Sequence, residues 1–261
     1  MPELPEVEYA LRRLRRAAQG RQILRLRAHH PSQRRTVTAP VSAAVAGAFI
    51  AGVERRGKFQ FLHLGDGALL VVHFRLDGDW VLDRANTALP PHARVSLELA
   101  GGRRAVLVDP RALCTLTYHP AGEHPELGLG PDAEDPALTP TALRARLARK
   151  RGPIKQALLD QSVLAGVGNI YAAEALWRAR ISPRAVASSL SAERVQRLLA
   201  GLRAALADGH VNAGRYHRGE RAIPFKVYDR EGDACGRCGQ ALRRITQSGR
   251  STYFCARCQP R

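Results

Sequence analysis

Residues 235–258 read Cys235-Gly-Arg-Cys238-Gly-Gln-Ala-Leu242-Arg-Arg-Ile245-Thr-Gln-Ser-Gly249-Arg250-Ser-Thr-Tyr-Phe254-Cys255-Ala-Arg-Cys258. Two Cys-x2-Cys knuckles enclose sixteen residues. Two-residue spacing lets both sulfurs of a knuckle reach one ion, and four thiolates complete a tetrahedral zinc site. A redox disulfide pair is the alternative, and it does not account for two matched knuckles. With Cys235, Cys238, Cys255 and Cys258 all acting as ligands, no coordination position stays open. One Zn2+ per chain is therefore expected, in a structural role. The residues between the knuckles read as strand, turn, strand: a β-hairpin with arginines around it. Arg250 is expected to face phosphate; a merely solvated arginine is the alternative. The fifth cysteine, Cys114, stands apart and reads as a buried thiol.

The basic character of the finger extends over the whole chain. Its 261 residues carry 41 Lys and Arg against 23 Asp and Glu, a formal net charge of +18. Such an excess attracts polyanions. Nucleic acid is the leading partner and an anionic membrane surface the second. A codon bias towards Arg accounts for Arg replacing Lys, but not for the net charge. A guanidinium also grips phosphate through two parallel hydrogen bonds. No apolar run approaches the ~20 residues of a membrane span. The acidic N-terminus has no secretory h-region, so a cytoplasmic protein is expected and a disulfide framework is not.

Upstream of the finger, residues 208–224 are Gly-rich and polar with little periodicity. Before them, residues 141–149, 154–161, 170–180 and 191–207 have helical spacing, with Ser191 as N-cap of the last. Leu164-Ala-Gly166-Val-Gly168-Asn169-Ile170-Tyr171 separates two of these helices. Its amides suit a phosphate, and a simple packing turn reads equally well. Residues 119–140, dense in Pro, Gly and acids, read as a linker. The first half changes period. Phe59, Phe61 and Leu64, then 69–72, 95–99 and 105–108, look like strands behind a helix at 5–18.

The opening Met1-Pro2-Glu3-Leu4-Pro5-Glu6-Val7-Glu8 resembles the start of the formamidopyrimidine-DNA glycosylase and endonuclease VIII family. Leu4 is similar to the first branch, because the second more often has Gly there. The resemblance continues through Arg55-Arg-Gly-Lys58-Phe59, His73-Phe-Arg-Leu76-Asp-Gly78, Asp109-Pro-Arg111, Pro153-Ile-Lys155 to Gln161, and Gly166-Val-Gly-Asn-Ile-Tyr-Ala-Ala-Glu174. It ends at the four cysteines, so it spans essentially the whole chain in order.

The resemblance implies an α+β multidomain fold. A β-sandwich with flanking helices would occupy residues 1–135 and carry catalysis. A helix-two-turn-helix DNA-binding domain would occupy 136–224, and the four-cysteine β-hairpin zinc finger 225–261. It implies a monomeric, nucleoid-associated repair enzyme acting on double-stranded DNA that contains damaged bases. The implied activity is excision of an oxidised base, purine favoured, with abasic-site lyase cleavage by β/δ-elimination. By the same resemblance Pro2 is the nucleophile, Glu3 the acid/base beside it and Glu6 a supporting carboxylate. A helix N-terminal acid is the alternative for Glu6. Lys58 contacts the phosphate near the lesion, and Lys155 and Asn169 flank the extruded nucleotide. Arg250 holds the same stretch of backbone. Leu76, Arg111 and Leu113 fill the gap left in the duplex, with Arg111 facing the orphaned base.

The N-terminal chemistry also follows from the residues. Removal of Met1 would leave the secondary amine of Pro2 at the chain end. An α-amino group titrates near ~7.7–8.0, so part of it is neutral and nucleophilic at physiological pH. Such an amine can attack a sugar C1′, expel the base and form an iminium that acidifies C2′.

Departures from the family pattern mark where specificity is open. Leu113 stands where many members have an aromatic wedge. Arg75 and Asp77 replace small residues. The stretch 210–225 is short and basic where a longer loop often covers the extruded base. Oxidised pyrimidines or abasic sites are alternative substrates. A non-catalytic damaged-DNA binder on the same scaffold and an RNA- or ribosome-associated zinc protein are the competing readings.

Overall fold

A computed structural model of the chain describes residues 2–217 and 225–260. They divide into two compact units, one of Met1–Pro2 and Val7–Leu127, the other of Glu3–Glu6 and Gly128–Arg261.

The first unit is built on two antiparallel four-stranded sheets. Its elements in chain order are α1 (Leu4–Ala18), β1 (Ile23–Ala28), α2 (Pro31–Arg34), α3 (Ala39–Val45), β2 (Ile50–Arg56), β3 (Phe59–Leu64), β4 (Leu69–His73), β5 (Asp79–Arg84), β6 (Ala93–Leu99), β7 (Arg103–Val108) and β8 (Thr115–His119). One sheet runs β1-β6-β7-β5 and the other β2-β3-β4-β8. Leu62, Leu64, Leu70 and Val72 of one, and Val95, Leu97, Ala105 and Leu107 of the other, share a core with Trp80. Val7, Ala10, Leu11, Leu14 and Ala18 join it from α1, at the i, i+3/i+4 spacing that gives a helix one apolar face. Trp80 is fully buried because its Nε1–H finds Gln60 Oε1 at 2.8 Å.

In the second unit come α4 (Pro140–Leu147), α5 (Ile154–Leu159), α6 (Asn169–Ala179), one 3-10 turn (Ala187–Ser189), α7 (Ala192–His217) and the hairpin β9 (Arg243–Gln247) and β10 (Arg250–Phe254). Thr139 caps α4, its Oγ1 accepting from the Ala142 amide. Leu176 and Ala172 of α6 pack with Val195, Leu198, Leu199, Leu202 and Leu206 of α7 in one core. Val227, Leu242 and Tyr253 form a second, smaller core with Trp177 of α6. The Arg237 guanidinium stacks on the Trp177 ring at 3.8 Å, which ties the first cysteine knuckle to α6. Among the described residues no helix is long and apolar enough to cross a membrane.

Helix α7 runs ten residues past the predicted end at 207, so the reading of 208–217 as irregular is corrected. Gly209 is the reason. It is no helix stop, because a Cβ there would come within 2.6 Å of the Tyr171 ring carbon Cζ. The glycine lets α7 pass close to α6. The rest of the predicted covering stretch, 218–224, lies outside the described residues. Strands β1, β2, β5 and β8 and the short helices α2 and α3 are not legible from periodicity. Strands β1, β2 and β5 mix apolar residues with arginine, and pairing to neighbouring strands decides them.

Candidate functional site

The peptide that follows Pro2 is clamped in the second unit by the turn between α5 and α6. The Leu4 amide donates to Gly166 O at 3.2 Å. Gly166 has φ +95, and a Cβ on it would collide with the Leu4 side chain. Gln161 shapes this turn, its Oε1 accepting from the Gly166 amide and its Nε2 donating to Val167 O.

Glu3 is buried, and its carboxylate sits on the first turn of α6. Oε1 accepts from the Ile170 amide at 2.8 Å and Oε2 from the Tyr171 amide at 3.2 Å. The N-cap position is Gly168, which has no side chain to offer. Glu3 therefore supplies the cap from a distant part of the chain, where the helix dipole favours an anion. A Cβ on Gly168 would overlap the Glu3 carboxylate, so only glycine leaves this place free.

Glu6 lies behind Glu3. Its Oε2 accepts from the Glu3 amide at 3.0 Å and its Oε1 from the Tyr171 hydroxyl at 2.6 Å. Burial raises its pKa to about 7, and the nearby Glu3 charge adds to the rise against the Tyr171 hydrogen bond. The folded chain thus keeps a proton that the unfolded chain loses above the ordinary value of 4.5. Stability from this group is fullest below that value and falls as pH rises to about 7. The fall is at most about 3 kcal/mol. Glu6→Gln stays neutral at every pH, so its melting temperature should lose this slope between about pH 5 and 8. An unchanged slope in the variant would assign the effect to other groups.

Lys155 and Asn169 meet at the zinc hairpin. Lys155 Nζ donates to Ser251 O at 2.9 Å and Thr252 Oγ1 at 2.7 Å, and Asn169 Nδ2 donates to Ser251 O at 3.0 Å. Lys155 is 1% exposed. Burial lowers its pKa to about 8, with the Glu3 charge opposing and the Arg250 charge adding to the fall. As placed here Lys155 secures the hairpin that carries Arg250, rather than presenting its ammonium to solvent. Arg250 itself is exposed, just past the tight turn Ser248–Gly249. The Ser248 hydroxyl accepts from Gln156 Nε2 at 2.7 Å, which fixes that turn to α5.

The sulfurs of Cys235, Cys238, Cys255 and Cys258 lie within 4.8 Å of one another. Four thiolates at tetrahedral zinc, each ~2.3 Å from the metal, need sulfur separations just under 4 Å. The donor set and spacing therefore fit a structural zinc ion.

Sequence reasoning missed two residues here. Glu174, a lone acid in the apolar run of α6, is buried and accepts from the amides of Lys226, Val227 and Tyr228 at 2.8–3.0 Å. A buried charge needs partners, and that was the available signal. Tyr228, which it positions, brings its hydroxyl to the Asn169 side chain; nothing local marks it.

In the first unit Pro2 is buried. Lys58 is half-buried after Gly57 in the β2–β3 turn, where Gly57 has φ +58. Arg55 braces this turn through Gly57 O at 2.9 Å and Glu8 at 3.3 Å. Lys58 and Arg75 add their charges to the burial that lowers the pKa of His73 to about 4. The turn after β4 presents Leu76, half-buried. The loop after β7 presents Arg111 and Leu113, both exposed. Asp109, fully buried, organises that loop, its carboxylate accepting from the amides of Arg111, Leu113 and Cys114 at 2.7–2.9 Å. In the sequence Asp109 stands out only as part of a motif.

Three family models match the chain. Residues 1–116 match the formamidopyrimidine-DNA glycosylase N-terminal domain and 129–216 the formamidopyrimidine-DNA glycosylase H2TH domain. Residues 232–261 match the zinc finger found in FPG and IleRS. Among curated relatives, the formamidopyrimidine-DNA glycosylase of Acidiphilium cryptum is 39% identical over 99% of this chain and 100% of its own. That of Moorella thermoacetica is 41% identical over 94% of each. Among solved structures, the Lactococcus lactis enzyme in complex with DNA containing FAPY-dG superposes with a TM-score of 0.90. It is 27% identical and covers 99% of this chain and 100% of its own. A MutM complex with DNA containing carbocyclic 8-oxo-G superposes with a TM-score of 0.87 at 26% identity, over 100% of both chains.

Proposed function

The chain belongs to the formamidopyrimidine-DNA glycosylase family, and on that premise we propose that it excises oxidised purines from double-stranded DNA through the amine of Pro2. It is a DNA repair glycosylase of the bifunctional, abasic-site-lyase kind. The observation that carries the mechanism is Glu3, next in sequence to Pro2 and held as a buried carboxylate by the Ile170 and Tyr171 amides.

With Met1 removed, the neutral Pro2 nitrogen attacks C1′ of the extruded nucleotide. The C1′–base bond breaks, the Pro2 nitrogen gives up its N–H proton, and the base leaves with the electron pair and takes up a proton. Glu3 delivers a proton to the sugar ring oxygen, and the ring C1′–O4′ bond opens to give the iminium between Pro2 N and C1′. That cation draws electrons from C2′, which loses a proton, and the 3′ phosphate departs in β-elimination. A second elimination releases the 5′ phosphate, and water then frees Pro2. Lys58, Asn169 and Arg250 supply charge and donors to the flanking phosphates, with Lys155 and Tyr228 holding their frame. Leu76, Arg111 and Leu113 occupy the vacated space in the duplex. A zinc ion held by Cys235, Cys238, Cys255 and Cys258 would contribute rigidity to the hairpin, with no coordination position open to substrate. The bacterial relatives and the DNA substrate together favour a cytoplasmic, nucleoid-associated enzyme.

Borohydride trapping tests this directly. Duplexes carrying 8-oxoguanine, an oxidised pyrimidine or an abasic site are mixed with the wild type and Pro2→Gly, after mass analysis has established loss of Met1. An adduct that maps to Pro2, strongest on 8-oxoguanine among the base lesions, is the expected outcome. No adduct on any duplex, with a free Pro2 and tight DNA binding, would overturn the lyase reading.

A further inference from the structure

Asp77 is the one acid in the turn that presents Leu76, and it faces the arginine of the neighbouring loop. Its Oδ2 lies 3.9 Å from Arg111 Nε, and the two side chains are 46% and 58% exposed. A surface ion pair of this kind contributes little to stability. Both side chains nevertheless leave stiff backbone. Gly78 N donates to Phe74 O at 3.1 Å, and a Cβ at Gly78 would approach that oxygen to 2.7 Å. Arg75 and Ala112 hold φ +58 and +56, and Asp109 and Arg94 pin the Arg111 loop from behind. Two opposite charges are thus displayed side by side by turns that cannot easily drift.

We propose that Asp77 and Arg111 together read the base left opposite the extruded lesion, and that Asp77 sharpens the choice of cytosine over thymine. The proposal rests on the assignment of Arg111 to the orphaned base. The Nε edge of the guanidinium lies towards Asp77, so its two terminal nitrogens remain to donate as a fork. The pairing edge of cytosine offers two adjacent acceptors, O2 and N3, then an amino donor at N4. The fork matches the acceptors and the Asp77 carboxylate, an acceptor only, matches the amino group. Thymine presents a donor at N3 and an acceptor at O4, so it meets the fork with one wrong group and the carboxylate with another. Guanine oxidised in place is paired with cytosine, so the preference confines excision to the correct context.

Anisotropy titration of the full chain on four duplexes tests this, each with a tetrahydrofuran abasic analogue opposite C, T, A or G. Binding is read without chemistry, so a failure of the lyase reading leaves the measurement intact. Removing a negative charge tightens all four complexes alike, and only the ratios are informative. Wild type is expected to favour C over T, and Asp77→Asn to shrink that T:C ratio of Kd roughly ten-fold. Asp77→Ala should shrink it less, because it adds no donor for O4. Arg111→Ala should erase the preference for C. An unchanged ratio in Asp77→Asn would make Asp77 a solvated anion, and an increased ratio would make it a competitor for Arg111; either overturns the proposal. A preference for C that survives Arg111→Ala would remove the assignment of Arg111 on which it rests.

Discussion

Glu3→Gln is expected to lower the single-turnover rate of base excision by roughly 10²–10⁴-fold, the range for a lost acid/base group. Glu3 also caps α6, so the loss of catalysis must be separated from damage to the fold. The amide of Gln can still accept one backbone donor, but its NH2 faces the other. That mismatch costs about 1–3 kcal/mol, visible as a lowered melting temperature but short of unfolding. Gly168→Ala is the complementary variant. It keeps the carboxylate and fills its place with a methyl group. If Glu3 works by its exact position, Gly168→Ala should approach the defect of Glu3→Gln while binding damaged duplex with similar affinity. Full excision by Glu3→Gln, measured under enzyme excess, would reduce Glu3 to a helix cap.

Removal of the metal is expected to have the other large effect, on DNA affinity. Structural zinc contributes ~10–16 kcal/mol to the folding of isolated fingers, so β9 and β10 should not keep their shape without it. The remainder of the second unit has its own core and should persist. Cys255→Ser, or dialysis of the full chain against a strong chelator, should take bound zinc from one per chain to none. Affinity for a damaged duplex should fall by about 100-fold, on the order expected when several charged hydrogen bonds to phosphate are no longer made. The slope of log K against log salt should become shallower by roughly 0.9 for each phosphate that Arg250 and its neighbours cease to neutralise. Metal-free protein that binds with the original affinity and slope would exclude the hairpin from the interface. Because Lys155 and Asn169 both donate to Ser251 O, collapse of the hairpin also removes their acceptor.

The local sequence determined those features whose chemistry is local. Four cysteines in two matched knuckles imply a metal site in almost any fold, and the hairpin between them lies at 243–254 as read. Helix α1, the helical second half and several long strands followed from periodicity, because burial on one face leaves that imprint. Pro2 and Glu3 stood out through the family resemblance of the opening residues 1–8, a run of consecutive residues that needs no folding to be read. Tertiary structure alone decided what holds them. Gly168 looked like part of a turn, yet its missing side chain makes room for Glu3 from 165 residues upstream. Gly209 fell in a stretch read as irregular and is an approach point for Tyr171 within α7. Lys155, read by resemblance as a phosphate ligand, is placed by its bonds to Ser251 and Thr252 of the hairpin, and Asp77 lies beside Arg111 of a neighbouring loop. In each case the deciding partner is distant in sequence. Hydrogen bonds and steric limits between such partners leave no periodic trace, since they depend on where the chain returns rather than on what it repeats.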